Sequence, residues 1–339
     1  MIADGNTEDP PQRGPRSQCA ACGARAVRSF LLRRGVPLLR CSRCGLGWWN
    51  WPPFDPRRFY DRDYFQSADA AKGYDDYRAL EAGARATARA RLRRMASLCG
   101  GRRAAGRREM LEVGCGTGCF LCEARAAGWD ARGIEVSSYA VARARERGLS
   151  VTCAAIEDIE LARSAYDGIA LWDVIEHLRD PASLLRALGR ALRPGGVLAL
   201  STGDITSLCA RLSGPRWHLF NLPEHLYFFS PQALRRILGA AGLRLGRVVR
   251  EVNWVPMAYL LERIRKSAAT NRNRSSPHEP VKDEHRARIR NGLIDRLVLP
   301  ATLFDVLGVY AVRDFPARTG ERALDARQAP ISASPDAGR

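Results

Sequence analysis

Through the middle of the chain, short apolar runs alternate with stretches in which apolar residues recur three and four positions apart. Runs at 109–113, 131–135, 150–153, 168–172 and 197–201 have the length and composition of buried strands. The helical stretches between them supply the crossovers that parallel pairing needs, so the pattern predicts an α/β fold. Runs at 243–252 and 306–312 predict a sixth and a seventh strand. Ser230-Pro231 predicts a helix start, with Ser230 as N-cap, Pro231 in the first turn and the end near Ala241.

Upstream, Tyr77, Leu80, Ala84, Ala88, Leu92 and Met95 recur at helical spacing between 74 and 98, and Arg85, Arg89, Arg93 and Arg94 read as a solvated face. Between the last two strands, 256–265 reads as an apolar-basic helix, 271–284 as a polar mobile stretch and 289–303 as another amphipathic helix. The chain then divides as follows: 1–16 disordered, 17–66 a cysteine module with an aromatic strap, 67–108 a connecting helix. The remainder divides into a core at 109–250, a helical insertion with the last strand at 251–317, and a disordered tail at 318–339.

Composition narrows the classes. A chain of 339 residues with 46% hydrophobic and 27% charged content buries a full core, which excludes fibrous and disordered proteins. The formal charge of +18 invites a nucleic-acid partner, but nearly all of it is Arg, with Lys only at 72, 266 and 282. That bias reads as codon usage rather than as a phosphate-binding surface, so nucleic acid is not the favoured partner. The N-terminus MIADGNTEDPPQRGPRS carries no apolar run, which predicts a cytoplasmic protein. The apolar stretch 298–312 is broken by Asp305 and falls short of the roughly 18 residues a membrane span needs.

Cys19-Ala-Ala-Cys22 and Cys41-Ser-Arg-Cys44 are two C-x2-C pairs with 18 residues between them, the spacing of a tetrahedral zinc site. Gly23 and Gly45 follow the pairs, as tight knuckles require, and 28–40 can supply a hairpin between them. Four thiolates leave no open coordination position, so Cys19, Cys22, Cys41 and Cys44 are expected to hold a structural zinc. The aromatic stretch that follows, from Trp48 to Phe54 and from Phe59 to Phe65, reads as a strap packed on the next domain.

The first core strand runs into Glu112-Val-Gly114-Cys-Gly116-Thr-Gly118, a glycine turn between strand and helix that lets a ligand lie against bare backbone. Its spacing is G-x-G-x-G, since Cys119 stands where a dinucleotide fingerprint places its third glycine. The second strand ends at Glu135, where a carboxylate can accept both hydroxyls of a ribose. Cys115, Cys119 and Cys122 carry an iron–sulfur spacing, but they sit inside the glycine turn and read as packing thiols.

Glu-Val-Gly-Cys-Gly-Thr-Gly, then Ile175-Glu176-His177-Leu178 with Asp180-Pro181, then Arg193-Pro194-Gly195-Gly196 stand in the order of the class I methyltransferases, which the chain resembles over about 109–250. The resemblance implies a Rossmann-like seven-stranded sheet and S-adenosylmethionine as cofactor. It implies that Glu112, Gly114, Gly116 and Gly118 form the cofactor turn, with Glu135 on the ribose, Glu157 near the adenine and Asp173 near the methionine moiety. The cysteine module, the core and Glu224-His225-Leu-Tyr-Phe-Phe-Ser230 together look like bacterial methyltransferases of glycan or natural-product pathways. The implied acceptor is a sugar, a glycan intermediate or another small metabolite, methylated on oxygen or carbon. An RNA base methyltransferase with a zinc module and a non-catalytic zinc-containing adaptor are the alternatives.

The segment from Trp217 to Pro231 follows a strand end, where an acceptor meets the methyl group. His225 is the candidate base, since histidine titrates near neutral pH, with Glu224 or another carboxylate orienting it. His177 and His218 are weaker candidates. For His177, capping the following helix or lining the cofactor's sulfur end is the favoured role. The insertion helices are expected to form a lid, with peripheral membrane contact as the other reading.

Overall fold

All seven core strands form, and they join one sheet. The computed structural model describes residues 18–33, 36–49, 56–60, 64, 81–100, 106–221, 224–256, 298–301 and 304–315. The expected disordered ends, the start of the connecting helix, most of the aromatic strap and both insertion helices up to 297 lie outside these residues.

Strands β1 (Val27–Arg33), β2 (Val36–Cys41) and β3 (Gly47–Trp49) form an antiparallel meander on the cysteine module. A short helix α1 (Pro56–Phe59) and the long helix α2 (Glu81–Leu98) lead into the core. There β4 (Arg108–Val113), helix α3 (Cys119–Ala126), β5 (Trp129–Glu135), helix α4 (Ser138–Glu146) and β6 (Ser150–Cys153) alternate. Next come β7 (Tyr166–Trp172), helix α5 (Pro181–Ala191), β8 (Leu192–Gly203) and the short helix α6 (Leu208–Ser213). The remainder comprises β9 (Tyr227–Phe228), helix α7 (Pro231–Ala240), β10 (Leu243–Arg250), β11 (Asn253–Pro256), β12 (Val298–Ala301) and β13 (Val306–Arg313).

The large sheet has the order β10-β13-β8-β7-β4-β5-β6, with β13 antiparallel to both neighbours and the five strands from β8 to β6 paired in parallel. Apolar clusters fill both of its sides. Leu111, Ile169, Leu198 and Val309 belong to one, and Met110, Ala170, Val197 and Tyr310 to the other, as alternation along a pleat demands. The helix starts follow local chemistry: the side chains of Ser230, Ser137 and Asp180 accept the backbone N–H groups of Ala233, Ala140 and Ser183. Among the described residues, no helix is long and apolar enough to cross a membrane.

Three expectations are corrected. In the arginine run on α2, Arg89 and Arg93 are exposed as expected, but Arg94 turns inward to the Glu251 carboxylate at 3.5 Å. Beside it Arg91, a buried arginine outside that run, sits 3.3 Å from the same group, itself 2% exposed. Arg85 and Arg89 pair with Glu123 at 2.8 and 3.2 Å, because α2 packs across α3 and the sheet. Second, β10 stops at Arg250, where Glu251 turns inward to Arg91 and Arg94. Third, Val298–Ala301, read as the end of an amphipathic helix, is a strand antiparallel to Asn253–Pro256. Pro300 offers no N–H to a helix, and opposite Trp254 it closes a two-stranded ribbon instead.

The small sheet holds the feature that matters most for the site. Its order is β1-β2-β3-β9, with Gly47 opposite Phe228 and Trp48 opposite Tyr227. The cysteine module thus takes its fourth strand from the segment beyond β8 that carries Glu224 and His225.

Candidate active site

The carboxyl ends of β4, β5, β6 and β7 carry the expected cofactor residues. Gly114, Gly116 and Gly118 have φ of 70°, 53° and 83°, a left-handed backbone that glycine adopts without penalty. A Cβ at Gly114 would lie 2.5 Å from Val174 Cγ2, and one at Gly118 2.2 Å from Leu149 Cδ1. The turn therefore lies directly against Val174, between Asp173 and Ile175.

Glu135 ends β5 with both carboxylate oxygens engaged: one accepts Gly116 N–H at 2.8 Å, the other Ser137 N–H at 2.9 Å. Each oxygen keeps a further lone pair for a hydroxyl. Burial raises its pKa against those two amides. Glu112 lies in β4 beneath the turn, and its Oε2 is buried without a hydrogen-bond partner. Burial pushes its pKa well above the carboxylate range. Glu157 is exposed on the turn Ile156–Asp158 after β6. Asp173, at the end of β7, has φ 55° and is held by Ser201, whose hydroxyl accepts Asp173 N–H at 3.0 Å and donates to Oδ1 at 2.8 Å. A non-glycine residue in that conformation is strain of the kind found where a side chain must be aimed.

Beyond Val174, the turn Ile175–His177 brings Glu176 and His177 against His225. The two rings are 4.7 Å apart at 80°. His177 Nδ1 donates to the Glu224 carbonyl at 2.9 Å, and His225 Nδ1 to the Leu219 carbonyl at 2.8 Å. A carbonyl only accepts, so both rings carry their proton on Nδ1 and a lone pair on Nε2. Burial lowers His177 to about 4 and His225 to about 3, so both are neutral at pH 7. Glu176 is raised to about 8, first by burial and then by the charge of Asp173.

Several expected roles are redistributed. His225 is oriented by the Leu219 carbonyl and not by a carboxylate, and Glu224 reaches His177 through its backbone oxygen. Helix α5 is capped by Asp180 and not by the His177 turn. His218 is half exposed, stands 3.6 Å from Asp305 and is not a member of the Glu176, His177 and His225 group. Cys115, Cys119 and Cys122 are not among the groups of three or more metal-ligating side chains found in the described residues. The Cys115 sulfur fills the space where Gly133 has no side chain.

Sequence reading missed Tyr60, whose hydroxyl lies 3.0 Å from His177 Nδ1, and Arg57, which pairs with Asp158 at 2.8 Å. It also passed over Glu176, although three titratable groups in Asp173-Val-Ile-Glu176-His177 were a visible signal.

The four cysteines of the module converge. Sγ of Cys19 and Cys44 are 3.4 Å apart, those of Cys22 and Cys41 3.7 Å, and all four lie within 4.8 Å of one another as free thiols. Metal–sulfur bonds of about 2.3 Å in a tetrahedron place sulfurs roughly 3.8 Å apart, so the set fits zinc. Gly23 and Gly45, with φ 67° and 76°, close the knuckles by donating to the Cys19 and Cys41 carbonyls. The hydrogen bond between Cys19 and Cys44 lowers the pKa of the Cys44 thiol and raises that of Cys19, which burial raises further. Ser230 donates to the Cys44 carbonyl at 2.6 Å, Trp49 N–H to Leu226 O at 3.0 Å, and Leu226 N–H to Glu176 O at 2.8 Å. These bonds tie the cysteine module to the segment and the turn that carry the two histidines.

A glycine turn at the carboxyl edge of a mostly parallel sheet, answered by an acidic residue on the next strand, marks the class of nucleotide-cofactor-binding α/β proteins. Comparison with known proteins narrows that class. Residues 80–247 match the family described as a methyltransferase domain. The ubiquinone biosynthesis O-methyltransferase of Bordetella bronchiseptica is 32% identical over 168 residues, 45% of this chain and 70% of that protein. The enzyme of the same name from Cereibacter sphaeroides is 29% identical over 161 residues, 43% of this chain and 65% of that protein. Against the first such relatives, the chain spans about 65% of their length. Among solved structures, phosphoethanolamine N-methyltransferase 2 of Haemonchus contortus, in complex with S-adenosyl-L-methionine, superposes with a TM-score of 0.47 at 17% identity. That likeness covers 78% of this chain and 61% of the other. The chain belongs to the S-adenosylmethionine-dependent methyltransferase family.

Proposed function

We propose that this protein transfers the methyl group of S-adenosylmethionine to an oxygen of a small organic acceptor, a sugar, glycan intermediate or comparable metabolite. The observation that carries the reading is the contact between Gly114 and Val174, which sets the cofactor turn beside the Glu176, His177 and His225 cluster. The O-methyltransferase relatives support an oxygen acceptor.

The residues present fit the cofactor. Gly114, Gly116 and Gly118 cradle it on bare backbone, with Glu112 beneath, and Glu135 has lone pairs to accept the ribose hydroxyls. Glu157 serves the adenine end and Asp173 the ammonium of the methionine moiety. Bound there, S-adenosylmethionine would supply a sulfonium methyl to an acceptor oxygen, with the C–S electron pair left on sulfur and the hydroxyl proton released to water. His225 and His177 face the acceptor in the neutral form. A ring held at about 3 takes a proton weakly, so His225 accepts a hydrogen bond from the acceptor hydroxyl and orients it. His177, held by Glu224 and Tyr60, places the second face of the acceptor.

Cys19, Cys22, Cys41 and Cys44 hold a structural zinc in this reading, and through β9 the module fixes the loop that carries His225. A cytoplasmic location accords with a small-molecule acceptor.

The deciding experiment supplies labelled S-adenosylmethionine to host extract and separates nucleic acid, glycolipid, protein and small molecules. Label in the glycan or small-molecule fraction is expected. Label removed by nuclease would replace this reading with the RNA one, and no transfer to any fraction would favour the non-catalytic adaptor.

A further inference from the structure

We propose that the groove between α2 and α3 binds a small phosphate monoester carrying an apolar group, at a site remote from the cofactor turn. The groove holds a cavity of about 510 Å³, inside the range of roughly 300–1,000 Å³ found for small-molecule sites. It lies where β4 and β5 begin, with Arg108 of one strand opposite Trp129 of the other. The cofactor turn leaves the far end of β4, about 17 Å away at 3.3 Å per residue.

The lining divides into two halves. Leu92, Ala96, Ala126 and Trp129 form an apolar wall, with Leu92 and Trp129 each 4% exposed. Arg89, Arg93 and Arg108 bring three guanidiniums against a single carboxylate, that of Glu123. Glu123 is already occupied: Arg85 holds Oε1 at 2.8 Å and Arg89 holds Oε2 at 3.2 Å. Arg93 and Arg108 make no ion pair or side-chain hydrogen bond among the described residues, and the Arg108 guanidinium rests 5.5 Å from the Trp129 ring centroid. The last carbonyls of α3 do not engage them either: those of Glu123 and Arg125 accept the N–H groups of Ala127 and Gly128.

Codon usage sets how many arginines a chain carries, but not where two unpaired ones converge. Guanidinium forks that face one cavity repel each other unless an anion lies between them. A phosphate monoester, with a charge near −2 at neutral pH and three acceptor oxygens, can answer both forks at once. The apolar wall then covers the body of the ester, whereas inorganic phosphate has nothing to bury there. Helix α3 begins at Gly118 in the cofactor turn and ends at this groove, so one helix borders both sites. Binding in the groove does not depend on the proposed methyl transfer.

Phenyl phosphate is the probe, titrated calorimetrically into the purified full-length chain in phosphate-free buffer at low ionic strength, with S-adenosylhomocysteine present to fill the cofactor turn. One phenyl phosphate per chain is expected, with a Kd below about 1 mM and at least about ten-fold tighter binding than inorganic phosphate. Arg93→Gln and Arg108→Gln are each expected to weaken it about ten-fold or more, the loss of one charged hydrogen bond. Neither side chain holds an ion-pair partner among the described residues, so thermal unfolding of both variants is expected to match wild type. Arg235 is an exposed arginine on α7, and Arg235→Gln separates a site from the general attraction of a chain with net charge +18. Its affinity is expected to stay within about two-fold of wild type. Phenyl phosphate that binds no more tightly than inorganic phosphate overturns the site. So does a folded Arg93→Gln, Arg108→Gln double variant with wild-type affinity, or an Arg235→Gln that loses as much as either.

Discussion

The Tyr60 hydroxyl lies 3.0 Å from His177 Nδ1, the same nitrogen that donates to the Glu224 carbonyl. Three residues earlier, Arg57 reaches Asp158 at the far side of the cofactor edge. The α1 segment therefore touches both ends of the site. Tyr60→Phe keeps the ring contacts with Phe59 and Tyr64 and removes only the hydroxyl. One neutral hydrogen bond is worth about 1 kcal/mol, so kcat/KM for the acceptor is expected to fall about five-fold with little change in Tm. Unchanged kinetics would place this segment outside the acceptor site.

Gly118→Ala puts a side chain into a left-handed backbone at φ 83°, with its Cβ 2.2 Å from Leu149 Cδ1. The backbone alone costs roughly 1–2 kcal/mol, and Leu149 must move as well. Calorimetric titration should show cofactor affinity lowered at least ten-fold. Retention of wild-type affinity would mean that the turn does not carry the cofactor.

Glu112 gives the protein a signature in pH. Burial raises its folded pKa, so the folded state holds a proton that the unfolded chain releases near pH 4.3. Stability from this residue is full below that value, declines as pH rises towards the raised folded pKa, and levels off above it. Glu112→Gln removes the dependence, so its Tm is expected to exceed that of wild type at pH 8 by more than at pH 4. Denaturation scans across that range test the sign, and a mutant curve parallel to wild type would show Glu112 ionised in the folded chain.

Removing metal from the cysteines should act on the acceptor before the cofactor. The glycine turn belongs to the large sheet, whereas the His225 loop hangs on β3 and the Cys44 carbonyl. Chelation, or Cys44→Ser, is expected to lower kcat/KM for the acceptor by more than ten-fold while S-adenosylhomocysteine affinity changes less than three-fold. Metal analysis should find one zinc per chain, and equal losses in both readouts would show that the module supports the whole fold without preference.

What the sequence made legible was whatever is decided locally. The central strands β4, β7, β8 and β13 are buried along most of their length and leave continuous apolar runs, and Ser230 and Pro231 announced their helix through capping chemistry. The cysteine hairpin was legible because metal geometry restricts spacing. Long-range partners left no such trace. Nothing near Arg91 sets it apart from Arg89 or Arg93; only the crossing of α2 over the sheet selects it for Glu251, 160 residues away. Likewise Tyr227 and Phe228 read as part of a substrate loop, because no local pattern says that a two-residue strand will pair with Gly47 and Trp48. Glu176 was overlooked for the opposite reason: between two residues with assigned roles, its own burial was invisible.

The shared small sheet also imposes a schedule on biosynthesis. Gly47 leaves the ribosome roughly 180 residues ahead of Phe228, its partner in the finished protein. At 5–20 residues per second, the first three strands wait about 10–40 s for the fourth. Over that interval the flank of β3 is uncovered, with Trp48 and Trp49 beside it, and only the pairing of β1, β2 and β3 and the cysteine knuckles hold the meander in register. With the proposed zinc in those knuckles, metal supply during translation, rather than after it, would govern how much of the nascent protein reaches the native state.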